Sequence, residues 1–154
     1  MSLEEFHNKK PIETVKRVGI KLTHSDITTQ YLIHDIVNTA SLSDGTGTRT
    51  WTGVNMRIAR PVAGRVSVSI GRVGTQVYQQ IKNITGFGRM EPVELTMYEW
   101  LSPSTIPAYS VTLSVEDISM TIDGVTITAS EVNEATLRVA ERYTIAKFPG
   151  LEFA

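Results

Sequence analysis

The stretch Arg65–Gly86, RVSVSIGRVGTQVYQQIKNITG, contains a change of hydrophobic period that decides the expected fold. Its first six residues alternate apolar and polar side chains, as in a strand with one buried face. The apolar residues that follow are spaced by four, four and three, which places them on one side of a helix: Val73, Val77, Ile81 and Ile84. Gly86 stands where a left-handed helix stop is expected. The stretch therefore predicts a strand and then a short helix, at about Gly74–Thr85.

The rest of the chain reads mainly as strands and turns. Strands are predicted at Val18–Leu22, Gln30–Val37, Trp51–Arg60, Val93–Met97 and Tyr109–Val115. Asp123-Gly124 predicts a hairpin with a two-residue type I′ turn. Ser41–Thr50 is the most flexible stretch by composition and contains the turn signal Asp44-Gly45. The expected fold is mainly β: an antiparallel β-sandwich or split β-barrel with one short flanking α-helix.

The two ends of the chain differ in character. The 154 residues predict one domain over 1–154, with residues 1–11 as a flexible arm. Residues 131–142 fit a strand or a short helix, and the alternation that continues after them favours a strand. Residues 147–154 carry two phenylalanines and a leucine, which predicts a C-terminal docking tail on the protein's own sheet or on a neighbour.

Several function classes are disfavoured by composition. The net charge of −1 argues against a dominant role in binding nucleic acid or membrane surfaces. No run approaches the ~20 apolar residues that cross a bilayer, and the first residues lack the apolar core of a signal peptide. With no cysteine there is neither a disulfide nor a thiolate metal site. Synthesis in a cytoplasm is therefore expected.

Candidate catalytic and ligand-binding patterns have simpler structural interpretations. His34 and Asp35 point to opposite faces of a strand, and His24-Ser25-Asp26 fits an ordinary polar turn. Glu116-Asp117 also face apart, and no glycine pattern matches a nucleotide loop. We therefore expect no catalytic residue, no metal site and no cofactor, and a protein that is not an enzyme.

Charge is divided sharply along the chain. Residues 45–90 contain seven Lys or Arg and no acid, whereas residues 91–134 contain eight acids and no Lys or Arg. Pairing of opposite charges across one sheet is one interpretation. The other is that the basic surface of one copy meets the acidic surface of the next. The second interpretation, with the apolar tail, predicts these interface residues: Arg57, Arg60, Arg65, Glu94, Glu99, Glu116, Phe148, Leu151 and Phe153.

The order of these segments resembles a family of short tailed-bacteriophage tail proteins of unassigned function. The resemblance is carried by Val66–Ile70, Val77–Ile84, Tyr109–Val115 and the tail Phe148-Pro149-Gly150-Leu151. As a pattern it covers about residues 18–151, and it departs from the family around residues 41–50. The resemblance implies a β-sandwich or split barrel with a flanking helix, assembled as a ring around the tail channel.

The function implied by this resemblance is that of a structural protein of a siphophage-like tail tip. It would form a three- or six-fold ring that joins the tail tube to the distal tip complex, with itself and neighbouring tail proteins as partners. DNA would pass through without specific binding, and the protein would reside in the virion tail. The alternative is a non-catalytic ligand- or receptor-binding β-domain of a virion. Such a domain would expose aromatic side chains, for which Trp51, Trp100 and Tyr109 are the candidates.

Overall fold

A computed structural model of the chain describes residue 4 and residues 14–34, 38–59, 64–72, 74–85 and 91–131. The last five ranges contain nine strands and one helix. In chain order they are β1 (Lys16–Thr23), β2 (Gln30–His34), β3 (Thr39–Ser43), β4 (Thr48–Val54), β5 (Met56–Ile58), β6 (Arg65–Ile70), α1 (Gly74–Lys82), β7 (Glu94–Leu101), β8 (Tyr109–Met120) and β9 (Val125–Ser130).

All nine strands belong to one sheet, in the order β3-β4-β2-β1-β7-β8-β9-β6-β5. Each neighbouring pair is antiparallel except β2 and β4, which run parallel. Only Asn55 separates β4 from β5, yet β4 pairs with β2 while β5 pairs with β6 at the far end of the order. The sheet must therefore curl until its two ends approach each other, which gives a barrel-like fold. The predicted mainly-β class is confirmed, with one parallel pair that the sequence did not predict.

Alternation places the apolar side chains of the opening strand inside this barrel. Val66, Val68 and Ile70 on β6 are at most 2% exposed, and they face Val125, Ile127 and Ala129 across the β6–β9 register. Inward residues of β1 and β7, such as Ile20 and Leu95, complete the same core. At ~25 cal/mol per Å² of apolar surface removed from water, such burial is the main stabilising term for the fold.

The single helix of the described ranges packs on the barrel next to β8 and β9. Val77 and Ile84 are buried in the barrel core, and Ile81 packs partly against it, as the spacing predicted. The helix ends at Lys82, three residues before the predicted end. After it, the N–H of Asn83 donates to the carbonyl of Gln79 and the N–H of Ile84 donates to the carbonyl of Ile81. A nine-residue helix would be marginal alone, so contact with the barrel stabilises it.

Ser41–Thr50, predicted as the most flexible stretch, instead forms most of the β3–β4 hairpin. Strands lie on both sides of its turn, and Leu42 and Asp44 are both buried. The predicted turn at Asp44-Gly45 is confirmed, and the N–H of Asp44 donates to the carbonyl of Gly47 at 3.1 Å.

The predicted strand Trp51–Arg60 is broken at Asn55 into the end of β4 and β5. The break lets the chain leave its pairing with β2 and join β6, and the carbonyl of Asn55 accepts a hydrogen bond from Gly71 at 2.9 Å. β2 ends at His34, and the rest of its predicted length lies outside the described residues.

The β8–β9 hairpin is present, but its turn is one residue earlier than predicted. The N–H of Thr121 donates to the carbonyl of Gly124 at 2.8 Å, so Ile122 and Asp123 are the central residues. A Cβ at Gly124 would lie 2.1 Å from the carbonyl oxygen of Ile70. The glycine is therefore required for close approach to β6 and not for the centre of the turn.

Candidate subunit-interface surfaces

The β3–β4 hairpin covers part of the outer barrel face through a second, aromatic core. Trp51 from β4 lies edge-on to Trp100 and Tyr98 from β7, with ring centroids 4.7 and 5.5 Å apart. Both indole N–H groups donate to β3, to the carbonyls of Leu42 and Ser43, at 3.0 Å. Trp51 and Trp100 are fully buried, so neither is a platform on which a ligand could stack. Tyr109, the third aromatic candidate, is 43% exposed.

Asp44 at the tip of this hairpin is a buried carboxylate that organises the turn. One oxygen, Oδ1, accepts hydrogen bonds from the backbone N–H groups of Thr46 and Gly47 at 3.0 Å and from the Thr46 hydroxyl at 2.7 Å. The other oxygen, Oδ2, lies 3.3 Å from the Lys21 ammonium and 3.5 Å from the Arg49 guanidinium. The carboxylate thereby ties the hairpin tip to β1.

These contacts perturb two ionisable groups. Burial alone would raise the pKa of Asp44, but the hydrogen bonds from Thr46, Lys21 and Gly47 to the charged form hold that pKa well below its usual range. Burial raises the pKa of the nearby Tyr98 phenol, and the positive charge of Lys21 opposes that rise. The partners of the Asp44 carboxylate come from its own chain. Its lowered pKa therefore indicates that the carboxylate stabilises the folded hairpin.

The rest of the outer face is polar and rich in hydroxyl groups. Ser69 and Thr126 lie 3.4 Å apart across β6 and β9, and Thr96 and Thr112 lie 3.0 Å apart across β7 and β8. Charged residues lie towards the two sides of this face: Glu94 on β7, Asp117 on β8, Arg65 on β6 and Arg57 on β5. The division between a basic and an acidic block of sequence thus becomes a division between two sides of one sheet face.

Two of the predicted interface residues are paired with each other within the chain. The guanidinium of Arg65 lies 3.1 Å from the carboxylate of Glu116, across the intervening strand β9. Ser130 on β9 donates a hydrogen bond to the same carboxylate. Glu116 reaches this position because β8 has an irregular register between Val115 and Asp117. For this pair the cross-sheet interpretation of the charge pattern holds.

The other described members of the predicted set lie at three separate places. Glu99 on β7 pairs with Lys16 on the neighbouring strand at 2.8 Å, and its side chain is 15% exposed. Arg57 and Glu94 are exposed and form no ion pair with any residue in the described ranges. Arg60, Phe148, Leu151 and Phe153 lie outside the described residues. Of the described members of the predicted set, Arg57 and Glu94 are thus the two whose charges are not paired within the described residues.

Arg57 also borders three shallow concavities. One, of about 270 Å³, is lined by polar groups that include Asn55, Ser69 and Asp123. A second, of about 490 Å³, lies over Ser67 and Ser69. The third, of about 440 Å³, lies between β5 and the side chains of Val18 and His34. Arg57 is therefore a lining residue that these three concavities share.

The histidine and carboxylate patterns do not converge on a site. His24 accepts a hydrogen bond at Nδ1 from the backbone N–H of Asp26 at 3.1 Å, so this segment is a turn, as predicted. Within the described ranges no group of three or more His, Asp or Glu side chains could hold a metal ion. No helix there combines the length and the apolar character needed to cross a membrane.

Sequence reasoning missed the importance of Asp44 and of Gly19. The Asp-Gly-Thr-Gly pattern after Ser43 was a signal for a side chain that bonds its own turn, but nothing local indicated Lys21 as a partner. A Cβ at Gly19 would lie 2.9 Å from the Trp100 ring, so this glycine makes room for the aromatic cluster. Comparison of the chain with protein-family models and with curated proteins finds no match.

Proposed function

We propose that this protein is a structural component of a tailed-bacteriophage tail tip, which assembles head to tail into a ring between the tail tube and the distal tip complex. One observation carries the assembly part of the proposal. Unpaired charges of opposite sign lie on opposite sides of one hydroxyl-lined sheet face, Arg57 on β5 and Glu94 on β7.

The distance between the two charges suits a contact between neighbours and not an internal pair. β5 and β7 are four strand positions apart in the sheet order. At the usual strand spacing of roughly 4.8 Å, this separation is about 19 Å measured along the curved sheet. The two side chains therefore cannot neutralise each other within one chain. Complementary patches at opposite sides of a subunit are the arrangement that a closed heterologous ring requires.

Arg57 is the better test of this contact than Arg65. Reversing Arg65 would also break its internal pair with Glu116, so a loss of assembly would have two explanations. Arg57→Glu removes no ion pair in the described part of the chain. We expect it to weaken self-association at low salt by at least about fivefold, because an attractive contact becomes repulsive. Sedimentation velocity and negative-stain electron microscopy measure this change.

The matched variants make the test specific. Glu94→Arg should weaken assembly to a similar extent, and the double variant Arg57→Glu/Glu94→Arg should recover it because the charges are exchanged. Arg72→Glu makes the same charge change at an exposed turn after β6 and should leave assembly unchanged. Equal assembly of the wild type and Arg57→Glu, or a wild type that remains monomeric at high concentration and low salt, would contradict the ring.

The virion assignment has separate support and a separate test. It depends on the resemblance to tail proteins and on the mainly-β fold with a flanking helix, which that resemblance implied. The genomic neighbourhood tests it directly. A tape-measure gene upstream and a central-fibre gene downstream are expected, and a location among unrelated metabolic genes would contradict it.

A further inference from the structure

Among the strands of the described residues, β3 forms one end of the sheet, and part of its outer edge has backbone groups with no partner there. Gly53 donates to the carbonyl of Asn38 at 2.9 Å, which sets the hydrogen-bonding phase of the β3–β4 ladder. With that phase, Ala40 and Leu42 bond to β4, whereas Thr39, Ser41 and Ser43 direct their N–H and C=O groups away from it. The Ser43 N–H donates to the carbonyl of Thr105 at 2.9 Å. Thr39 and Ser41 have no backbone partner within the described ranges.

This edge lacks the features that usually prevent strands from pairing between molecules. Edge strands are commonly very short, charged, bulged or interrupted by proline. β5, at the other end of the sheet, has three residues and carries Arg57. β3 has five residues, Thr-Ala-Ser-Leu-Ser, with no charge, no proline and a regular register to β4. Features that oppose pairing between molecules are therefore present on β5, at one end of the sheet, and absent from β3, at the other end.

We propose that β3 is a self-pairing edge, on which β3 of a second copy adds antiparallel about a two-fold axis at Ala40. In this register Thr39 of each chain lies opposite Ser41 of the other. Each of the two pairs exchanges two hydrogen bonds, so four bonds form and all the free edge groups of Thr39 and Ser41 are used. The occupant is a second copy because the edge is complementary to itself in number, spacing and direction of its free groups.

The structure also selects the register. An axis at Ser41 would set Ser43 opposite Thr39, but the Ser43 N–H already bonds Thr105 and its carbonyl accepts the Trp100 indole N–H. An axis at Ala40 leaves both of those bonds in place. The strand carries no charge, so like charges do not meet across the axis, and the small Ala40 side chain is the one repeated there.

This contact is separate from the proposed ring. A two-fold contact cannot by itself close a three- or six-fold ring, which requires a heterologous interface. The two contacts also use different groups: the backbone of Thr39 and Ser41 at the β3 edge, and the side chains of Arg57 and Glu94 on the outer face. Self-pairing through β3 therefore does not depend on the proposed tail-tip function, and the variants that test one contact leave the other unaltered.

Amide hydrogen exchange on the unmodified protein tests the pairing with an internal control. Exchange of the Thr39 and Ser41 amides, measured by NMR, should slow as concentration rises, by about twofold where half the chains are paired. The Ala40 and Leu42 amides already bond β4 and should not change. Exchange rates at Thr39 and Ser41 that are independent of concentration would overturn the proposal.

Disulfide trapping tests the register, because the chain has no cysteine of its own. In the proposed pair the two Ala40 Cα atoms lie about 4.5 Å apart, within the range that a disulfide bridges. Ala40→Cys should therefore form a cross-linked dimer under mild oxidation, at least about tenfold faster than Ser41→Cys, whose sulfurs would not be opposite. Equal rates, or faster linkage through Ser41→Cys, would reject this register.

A proline variant separates the edge from the ladder. Ser41→Pro removes an outward N–H while leaving the hydrogen bonds of β3 to β4, and proline is tolerated at such edge positions. Added to Ala40→Cys, it should abolish cross-linking, whereas Ser41→Thr, which keeps the N–H, should not. Cross-linking that persists with Ser41→Pro would show that the cysteines meet by random collision and would overturn the proposal.

Discussion

Replacement of Asp44 should destabilise the protein more than replacement of any exposed acid. Its side chain has no accessible surface, and its oxygens accept from two backbone N–H groups, one hydroxyl and the Lys21 ammonium. Asp44→Ala leaves these donors without their acceptor at the tip of the β3–β4 hairpin. Truncating one partner of a buried charge pair costs about 3–5 kcal/mol, and we expect a loss of that size in the free energy of unfolding.

Asp44→Asn should cost less, about 1–3 kcal/mol, because the amide oxygen can still accept from the turn while the charge facing Lys21 is lost. Arg49 contributes little to either figure. Its side chain is 48% exposed, so water screens its attraction to Asp44. Asp26→Asn is the control, since Asp26 is an exposed acid in the turn before β2 and should change stability by less than about 0.5 kcal/mol.

The effect of Asp44→Asn should depend on pH in a defined direction. The pKa of Asp44 is lowered in the folded state, so the unfolded chain binds the proton more readily. Its stabilising contribution is fully present above the unfolded pKa of about 3.9 and is lost as pH falls below that value towards the folded pKa. The stability difference between wild type and Asp44→Asn should therefore be constant near neutral pH and narrow below about pH 4.

Urea unfolding followed by tryptophan fluorescence measures these differences, because Trp51 in the hairpin and Trp100 on β7, which packs against it, are both buried. With a typical slope of about 2 kcal/mol per M, Asp44→Ala should lower the urea midpoint by roughly 2 M. A midpoint within about 0.3 M of wild type would refute the role given to Asp44. A stability difference for Asp44→Asn that widens as pH falls would refute the direction of its pKa shift.

Two further experiments test the packing and the surface electrostatics of the barrel. Gly19→Ala should destabilise the fold by about 1–3 kcal/mol, because its Cβ would lie 2.9 Å from the Trp100 ring, and near-ultraviolet circular dichroism would register the displaced aromatic rings. The Arg65–Glu116 pair is largely exposed, so a double-mutant cycle in urea should give a coupling of about 1 kcal/mol or less that falls with salt. A coupling well above that range would show that the pair is shielded from water.

The elements that were predicted correctly are those whose signal is local. β6 and α1 follow from a change of period within one stretch, from alternation in Val66, Val68 and Ile70 to the spacing of Val77 and Ile81. Each of these side chains faces a single apolar region, the barrel interior. The hydrophobic period of the stretch is therefore enough to predict which of its side chains are buried. No information about residues distant in the sequence is needed.

The features that were missed depend on residues far apart in the sequence. The hairpin β3–β4 reads as a polar loop because its outer face carries Ser and Thr, while its inner face packs on Trp100, which lies more than forty residues later. Asp44 reads as a turn residue until Lys21 on β1 is placed beside it. The parallel β2–β4 pair likewise arises from the path of the whole chain and has no local signature.

The basic and acidic blocks were the strongest long-range pattern in the sequence, yet residues of the same block have different roles in the fold. Arg49 lies beside the buried Asp44, and Arg65 pairs with Glu116 across β9, so two cations of the basic block are used within the chain. Arg57 remains exposed, beside concave surface and at the end of the sheet. A docking model in which the whole basic block meets the whole acidic block therefore overstates the available charge. The ring contact that we propose depends on few charges, and one reversal at Arg57 should consequently have a measurable effect on assembly.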